Sequence, residues 1–391
     1  MRIPKIRDNG QWIIPRTYVR SGGAWILVDN FIRNAGDWDN IPFLTNVVEL
    51  ATTLTPLTGG SQYGKSVAIG NGRIVAGAPT YNNPYSSSAA NSGLVYIYDT
   101  NGNQITTITN NKNPAQDTRF GVSVAVGSNI IAVGANGEDP PGAFIPPEGA
   151  VYIYDLNGNF IRRLQPSPPD SANFGISVAI GDGMLVVGTD LASTNQVYTY
   201  NINSNYAENI LITSGGNVEN EVAIGNGKIV VGNGGFASFG IVNIFNTDGT
   251  GRIVLGQGGS TGFGRSIAVG DNVIVIGAPY DDTRSNTNGA VYIYNLNGTL
   301  IRKIFASDTS AFLAFGYSVA VSDSRIVVGT GGAKLFQFKL DGTELGSILD
   351  PNPDSDEDWT TSISAGEGKI VVGSQGTMGF GMPPGSVYLL S

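Results

Sequence analysis

Neither cysteine nor histidine occurs anywhere in this sequence of 391 residues. Without cysteine there is no disulfide framework, no thiolate nucleophile and no sulfur ligand for a metal. Without histidine there is no Ser-His-Asp triad, no imidazole general base and no His-ligated metal centre. Charge is sparse as well: 14% of residues are charged and the formal net charge is −9. An acidic, charge-poor chain argues against nucleic acid as a partner. No apolar run reaches the length of a membrane-spanning helix, so membrane insertion is not expected. The opening stretch MRIPKIRDNGQWIIP has no apolar h-region, so no signal peptide is expected either.

What the sequence has in abundance is glycine, 55 residues, placed in turns and beside short apolar runs. Residues 263–305, FGRSIAVGDNVIVIGAPYDDTRSNTNGAVYIYNLNGTLIRKIF, contain the pattern once in full. SIAV and VIVIGA are apolar and β-branched, with Asp271-Asn272 as a tight turn between them. AVYIYNL follows after a polar loop, and Asn297-Gly298, a strong hairpin signal, leads into TLIRKIF. Four strands joined in this way make one antiparallel sheet that cannot bury both faces alone.

Seven copies of the unit start at Tyr63, Phe120, Phe174, Val218, Phe263, Phe315 and Trp359. The intervals, by subtraction, are 57, 54, 44, 45, 52 and 44 residues. Four strands at this period predict a β-propeller. The last copy stops at SVYLLS, its third strand, and an orphan strand, Val47–Leu54, precedes the first copy. A closed ring uses this offset by setting the N-terminal strand (around Glu49–Leu57) beside Ser386–Leu390; a solenoid has no use for it. The expected architecture is therefore all-β: a seven-bladed propeller of four-stranded blades over residues 46–391. An N-terminal strand completes its last blade, and a small β segment, residues 1–45, precedes it.

Phe-Gly before strand one, and Gly77-Ala78-Pro79 and Gly277-Ala278-Pro279 after strand two, resemble FG-GAP repeats, as in the integrin α-subunit propeller. The resemblance covers about residues 47–391. It implies an adhesion or recognition propeller. Val218-Glu219 departs from Phe-Gly in copy four, and the integrin-type calcium loop between strands one and two is replaced by Gly-Asp-Gly or Gly-Asn-Gly. Such turns hold too few oxygens for calcium, so no metal and no cofactor are expected.

Tight turns join strands one to two and three to four, which makes one face of the ring smooth. The opposite face carries the strand two to three loops, long at about residues 79–93, 136–149, 279–289 and 374–385. Ring closure sets copies seven, one and two side by side, so Tyr81, Tyr85, Phe144, Ile145, Met378, Phe380 and Met382 form one candidate recognition patch. The alternative is that these loops fold onto one another and bury the aromatics. Asp350, Asp354, Asp356, Glu357 and Asp358 read as a solvated linker or a cation site. Asp281-Asp282 reads as a turn, and Arg162-Arg163 and Arg302-Lys303 as charges that protect outer edges. Sialidase-type Asp boxes and a convergent carboxylate pair are both missing.

Residues 1–45 form a different text. Trp12, Trp25 and Trp38 recur every 13 residues, each two residues after a Gly, and Tyr18-Val19-Arg20 echoes Phe31-Ile32-Arg33. This resembles the Gly-x-Trp repeats of tailed-phage structural proteins. It implies an attachment segment that uses Trp12, Trp25, Trp38, Arg20 and Arg33 to dock on other virion proteins, on another copy of the chain or on a larger assembly. The alternative is a hairpin packed on the propeller rim, although outer edges bearing Arg and Lys offer no obvious apolar groove for it. The expected function is a non-enzymatic virion component (fibre, tail or head surface) that binds a host-surface glycan or protein through the loop-rich face, or decorates the particle. The alternatives are a cellular adhesion or glycan-binding propeller and a propeller enzyme.

Overall fold

Seven four-stranded antiparallel sheets follow one another in the computed structural model and close into a ring. The structure describes residues 50–54, 56, 62–81, 91–110, 117–138, 148–166, 173–190, 196–213, 220–234, 240–256, 261–283, 289–307, 314–332, 334–352, 358–376 and 385–391. It also gives the short strands Ile6–Asp8, Gln11–Ile13, Thr17–Ser21, Ala24–Val28, Arg33–Asn34 and Asp37–Trp38. These six pair in sequence as three hairpins. The Ala24–Val28 strand comes beside the outer strand of the sixth blade.

Blade one consists of Ser66–Gly70, Arg73–Ala78, Leu94–Asp99 and Gln104–Thr109, from the axis outward. Blade two is Val124–Gly127, Ile130–Ala135, Ala150–Asp155 and Phe160–Leu164; blade three is Val178–Gly181, Met184–Val187, Gln196–Asn201 and Ala207–Ile212. Blade four runs Glu221–Gly225, Lys228–Asn233, Ile241–Asn246 and Ile253–Gly256. Blade five runs Ser266–Gly270, Val273–Ala278, Ala290–Asn295 and Leu300–Ile304. Blade six is Ser318–Ser322, Arg325–Gly329, Lys334–Lys339 and Glu344–Leu349.

Blade seven takes Asp358–Gly366, Lys369–Gln375 and Gly385–Leu390 from the C-terminal end and its outer strand, Leu50–Leu54, from the other end. Its register is that of a native fourth strand. Val387 faces Leu54, as Val95 faces Ile108, Val151 faces Leu164 and Val291 faces Ile304 in other blades. The ring closes as its sequence predicts.

Second and third strands are buried on both faces because each blade is sandwiched between two others. Their apolar runs therefore show little alternation. Between blades, the Phe-Gly and Gly-Ala-Pro half-motifs interlock. The Phe120 backbone bridges to Gly93 of blade one, while its ring packs edge-on against Tyr152 of its own blade at 5.6 Å. Phe174 and Phe315 repeat the bridge at Gly149 and Gly289. The Gly121 carbonyl presses on Gly77 so closely that a Cβ there would stand 2.0 Å away, and Gly134 and Gly277 meet the next blade in the same way. A side chain at any of these would force the blades apart. Ser66, one strand in, donates its hydroxyl to that same carbonyl at 2.9 Å. Ser123, Ser266, Ser318 and Ser362 donate likewise to Gly175, Gly316, Thr360 and Gly64.

On the smooth face the strand one to two turns are linked to one another. Side chains of Asn71, Asp182, Asn226, Asp271, Asp323 and Glu367 each accept from a backbone N–H in the turn of the following blade, at 2.8 to 3.4 Å. Each of the six takes up a positive φ. In blade two Ser128 holds the equivalent place, and its side chain is too short to span the gap.

Candidate functional site

The starts of the inner strands converge at the opposite, loop-rich end of the channel. The residue between the Gly of Phe-Gly and the stapling Ser is Lys65, Val122, Ile176, Asn220, Arg265, Tyr317 and Thr361 in blades one to seven. Together with the residue beneath it and, in every blade but the fourth, the first apolar residue of the inner strand, this position lines a cavity of about 260 Å³. One floor position departs from serine: Glu221 in blade four.

Two layers with different chemistry result. In the lower one, the five serines that staple the seams have their protons engaged on backbone carbonyls, and Ser177 accepts from Val222 N–H at 3.2 Å. The stapling hydroxyls therefore have no proton left for a guest, and Glu221 stands beside them in the lining. The upper layer supplies donors. Arg265 lies over the Tyr317 ring, 5.0 Å from its centroid, and donates to the phenol oxygen at 3.2 Å. The ring is held from another side by Gly331, where a Cβ would lie 2.9 Å from it. The guanidinium is thus pre-set by a cation–π contact and a hydrogen bond. Lys65 stands across the channel, and Thr361 and the buried Asn220 complete the polar rim. Asn220 is itself fixed by Asn233 and by Thr189, to which it donates at 3.3 Å. Among the described residues Glu221 is the one carboxylate of the lining, so the described lining holds no carboxylate pair of the glycoside-hydrolase kind.

Two buried charge clusters lie elsewhere, in blades two and five. Glu138, 2% exposed, accepts from Tyr152 at 2.7 Å and from two nitrogens of Arg163 at 2.9 and 2.6 Å. Asp281, 1% exposed, accepts from Tyr292 at 2.6 Å, from Thr283 at 2.6 Å and from Lys303 at 3.0 Å. Burial pushes the Asp281 carboxyl up, but the hydrogen bonds from Thr283, Tyr292 and Lys303 together outweigh it and hold it below its ordinary value. The Tyr292 phenol is raised by burial and by the Asp281 carboxylate it is bonded to. These clusters correct two sequence readings. Arg163 and Lys303 turn inward to neutralise buried acids instead of guarding an edge, and Asp281 is more than a turn residue. Arg162 and Arg302 reach sideways to Asn205 and to the Asp341 carbonyl of the next blade. The outer strands are not uniformly charged either: Phe160, Ile161, Val254, Leu300 and Ile301 are exposed there.

Of the expected recognition patch, Tyr81 is half-buried against the core of blade one, and its carbonyl accepts from Gly93 N–H and Ser92 Oγ. Tyr85, Phe144, Ile145, Met378, Phe380 and Met382 lie outside the described residues, as do Asp354, Asp356 and Glu357. Trp12, Trp25, Trp38, Arg20 and Arg33 lie on the short hairpin strands. Among the described residues no cluster of acidic side chains is grouped to hold a metal ion, and no helix is long and apolar enough to cross a membrane. The cavity lining was the reading missed in the sequence. Its signal was there: a position that changes chemistry in every copy while its neighbours hardly change.

Residues 257–294 and 299–348, in blades five and six, match the FG-GAP repeat family. Both half-motifs are intact in blade five, while blade six keeps Phe315-Gly316 and has Gly329-Thr330 in place of Gly-Ala-Pro. The crystal structure of the computationally designed Ika8 protein is similar at 14% identity, over 86% of this chain and 98% of that one, with a TM-score of 0.50. That likeness shows the fold alone. No curated protein matches the sequence.

Proposed function

We propose that this chain is a non-enzymatic recognition propeller of a phage virion, held to the particle by residues 1–45 and presenting its loop-rich face to a host-surface glycan or protein. The observation that carries the recognition reading is the unlike build of the two ends of the ring. One end is closed by short turns bonded to one another. The other combines a polar cavity with all of the long loops, on a scaffold rigid enough to hold them. The FG-GAP match supports a binding role in the same direction. Tyr81, Tyr85, Phe144, Ile145, Met378, Phe380 and Met382 are the contacts proposed for the strand two to three loops.

The virion assignment rests on the Gly-x-Trp period of Trp12, Trp25 and Trp38. A segment that short cannot bury its own indoles, so Trp12, Trp25 and Trp38, with Arg20 and Arg33, are proposed to dock on other virion proteins or on further copies of the chain. A cellular adhesion propeller is the second reading, favoured by the FG-GAP repeats themselves. The test compares the full chain with residues 46–391 by light scattering, beside mass spectrometry of purified particles. Self-association or particle capture that needs residues 1–45 supports the virion reading. Two monomers, with the protein missing from every particle, would leave the adhesion reading.

A further inference from the structure

We infer that the outer rim at the seam of blades one and two is a docking surface for a second copy of this chain, whose first hairpin, residues 6–13, covers Ile105, Phe160 and Ile161. The inference rests on the reading of residues 1–45 as an assembly segment and names the surface that receives it. Among the described residues, every large apolar side chain that is exposed lies on an outer strand, in one of two patches. Ile105, Phe160 and Ile161 are 41, 44 and 47% exposed. The Gly158 turn that leads into Phe160 rests on Thr106 and Ile108 of blade one, so the three form one patch across the seam. Val254, Leu300 and Ile301 repeat it across the seam of blades four and five, where the Gly298 turn rests on Ile253 and Leu255. Blade three, in between, opens its outer strand with Ala207-Glu208-Asn209 and has no such patch. Apolar surface gathered in this way marks an interaction site.

Blade six indicates the occupant. In blades one, two, five and six the outer strand carries a bulge, at Ile105, Ile161, Ile301 and Leu345, which re-aims an apolar side chain. Leu345 is the one of the four that is not exposed. Its strand, Glu344–Leu349, is half-buried along its whole length, and the chain's own Ala24–Val28 strand comes beside it. A hairpin of residues 1–45 thus already lies beside the equivalent of the strand left open in blades one and two. The three hairpins follow one Gly-x-Trp text, so what suits one bulge suits another. The same chain's first hairpin is tethered beside blade six: Ile13 and Thr17 are four positions apart, a reach of about 14 Å. Blades one and two lie two and three sheet-to-sheet steps from blade six, each ~10 Å at the closest and wider at the rim. The third hairpin is held in the same way, since Arg33 follows Val28 by five positions, about 17 Å. The patch of blades four and five adjoins blade six, so hairpins of either copy reach it; the patch of blades one and two is left to another copy. Outer strands begin at the smooth face, so a copy docked there leaves the loop-rich end open.

The experiment uses full-length chains, which have no native cysteine. Asp8→Cys, on the first hairpin, is mixed with a differently tagged Gln104→Cys, exposed beside Ile105, and the mixture is oxidised. A disulfide joining the two tags is expected. In parallel, the light-scattering mass of the wild type rises to about twice the monomer value or more as concentration passes through the ~μM range. Ile161→Glu, at an exposed position, leaves melting unchanged. It lowers the cross-link yield and the association constant by about tenfold or more, because a carboxylate has to be desolvated under the hairpin. Asn209→Lys, exposed on the outer strand of blade three, leaves both as in wild type. A monomer at every concentration, an Ile161→Glu protein that associates as wild type, or an Asn209→Lys protein weakened as much would overturn the inference. So would Gln104→Cys linking only to itself, since patch would then meet patch. Should the chain stay monomeric and yet be captured by particles through residues 1–45, the inference falls and the attachment reading stands. Should copies associate through the patch while no particle contains the protein, the docking surface stands and the virion reading falls.

Discussion

Replacing Leu54 by Ala should destabilise blade seven, whose other strands lie more than three hundred positions away in sequence. Leu54 is 4% exposed and packs with Val387 and Leu389 of blade seven and with the core of blade one. Its Cδ2 also lies under the Asn101-Gly102 turn, 2.8 Å from where a Cβ on Gly102 would be. Truncating a buried Leu costs about 2–5 kcal/mol, through lost transfer energy and the cavity left behind. For the roughly 350 residues of the propeller the entropy of unfolding is about 0.7 kcal/mol/K, so a loss of ~3 kcal/mol lowers Tm by about 4 °C. Thr53, the exposed neighbour on the same strand, is the control, and Thr53→Ala should change stability by less than about 0.5 kcal/mol. Calorimetry on both variants reads the difference. A Leu54→Ala protein that melts within a degree of wild type would mean that the N-terminal strand does not close the ring in solution.

Ser128→Asp should complete the chain of turn-to-turn bonds by giving the Gly183 N–H the acceptor that the other turns supply, a gain of about 0.5–1.5 kcal/mol in chemical denaturation. Lys303→Met should lose about 3–5 kcal/mol by leaving Asp281 charged and buried, and Asp281→Asn in the same chain should restore part of it. Because the folded Asp281 carboxyl lies below its unfolded value, its contribution is present above that unfolded value. It should fade as pH falls through the folded one, so an acid melting series of the Asp281→Asn/Lys303→Met double variant should be flatter than that of wild type. Melting with and without a chelator should coincide, since the strand one to two turns hold too few oxygens for calcium; a large drop would place a metal elsewhere, with residues 350–358 the first place to look.

The repeat, the strand count and the closure were legible because each rests on local chemistry. Asn-Gly turns fix hairpins, and a missing fourth strand at one end matches an orphan strand at the other. The direction of Arg163 and Lys303 was not legible. Outer strands carry a bulge opposite Ile153/Tyr154 and Ile293/Tyr294, which shifts the register and breaks the period of two. With alternation lost, Arg162 and Arg163 look alike in sequence, and the acids that claim Arg163 and Lys303 lie 25 and 22 residues upstream. The cavity lining was hidden for another reason. Lys65 and Arg265 are 200 positions apart and converge only because the ring closes, so a reading along the chain meets them as unrelated surface charges. Position by position around the ring, they belong to one layer.

The absence of native cysteine allows the central claim, recognition through one end of the ring, to be tested by orientation. Asn101→Cys, on an exposed turn of the smooth face, and Asp282→Cys, on an exposed loop of the other, each give a single attachment point. Each protein is coupled through its thiol to a sensor surface and challenged with whole bacterial cells and purified surface polysaccharides. Capture by the Asn101→Cys surface and its loss on the Asp282→Cys surface is the predicted result; equal capture by both, or capture when only the smooth face is free, would contradict it.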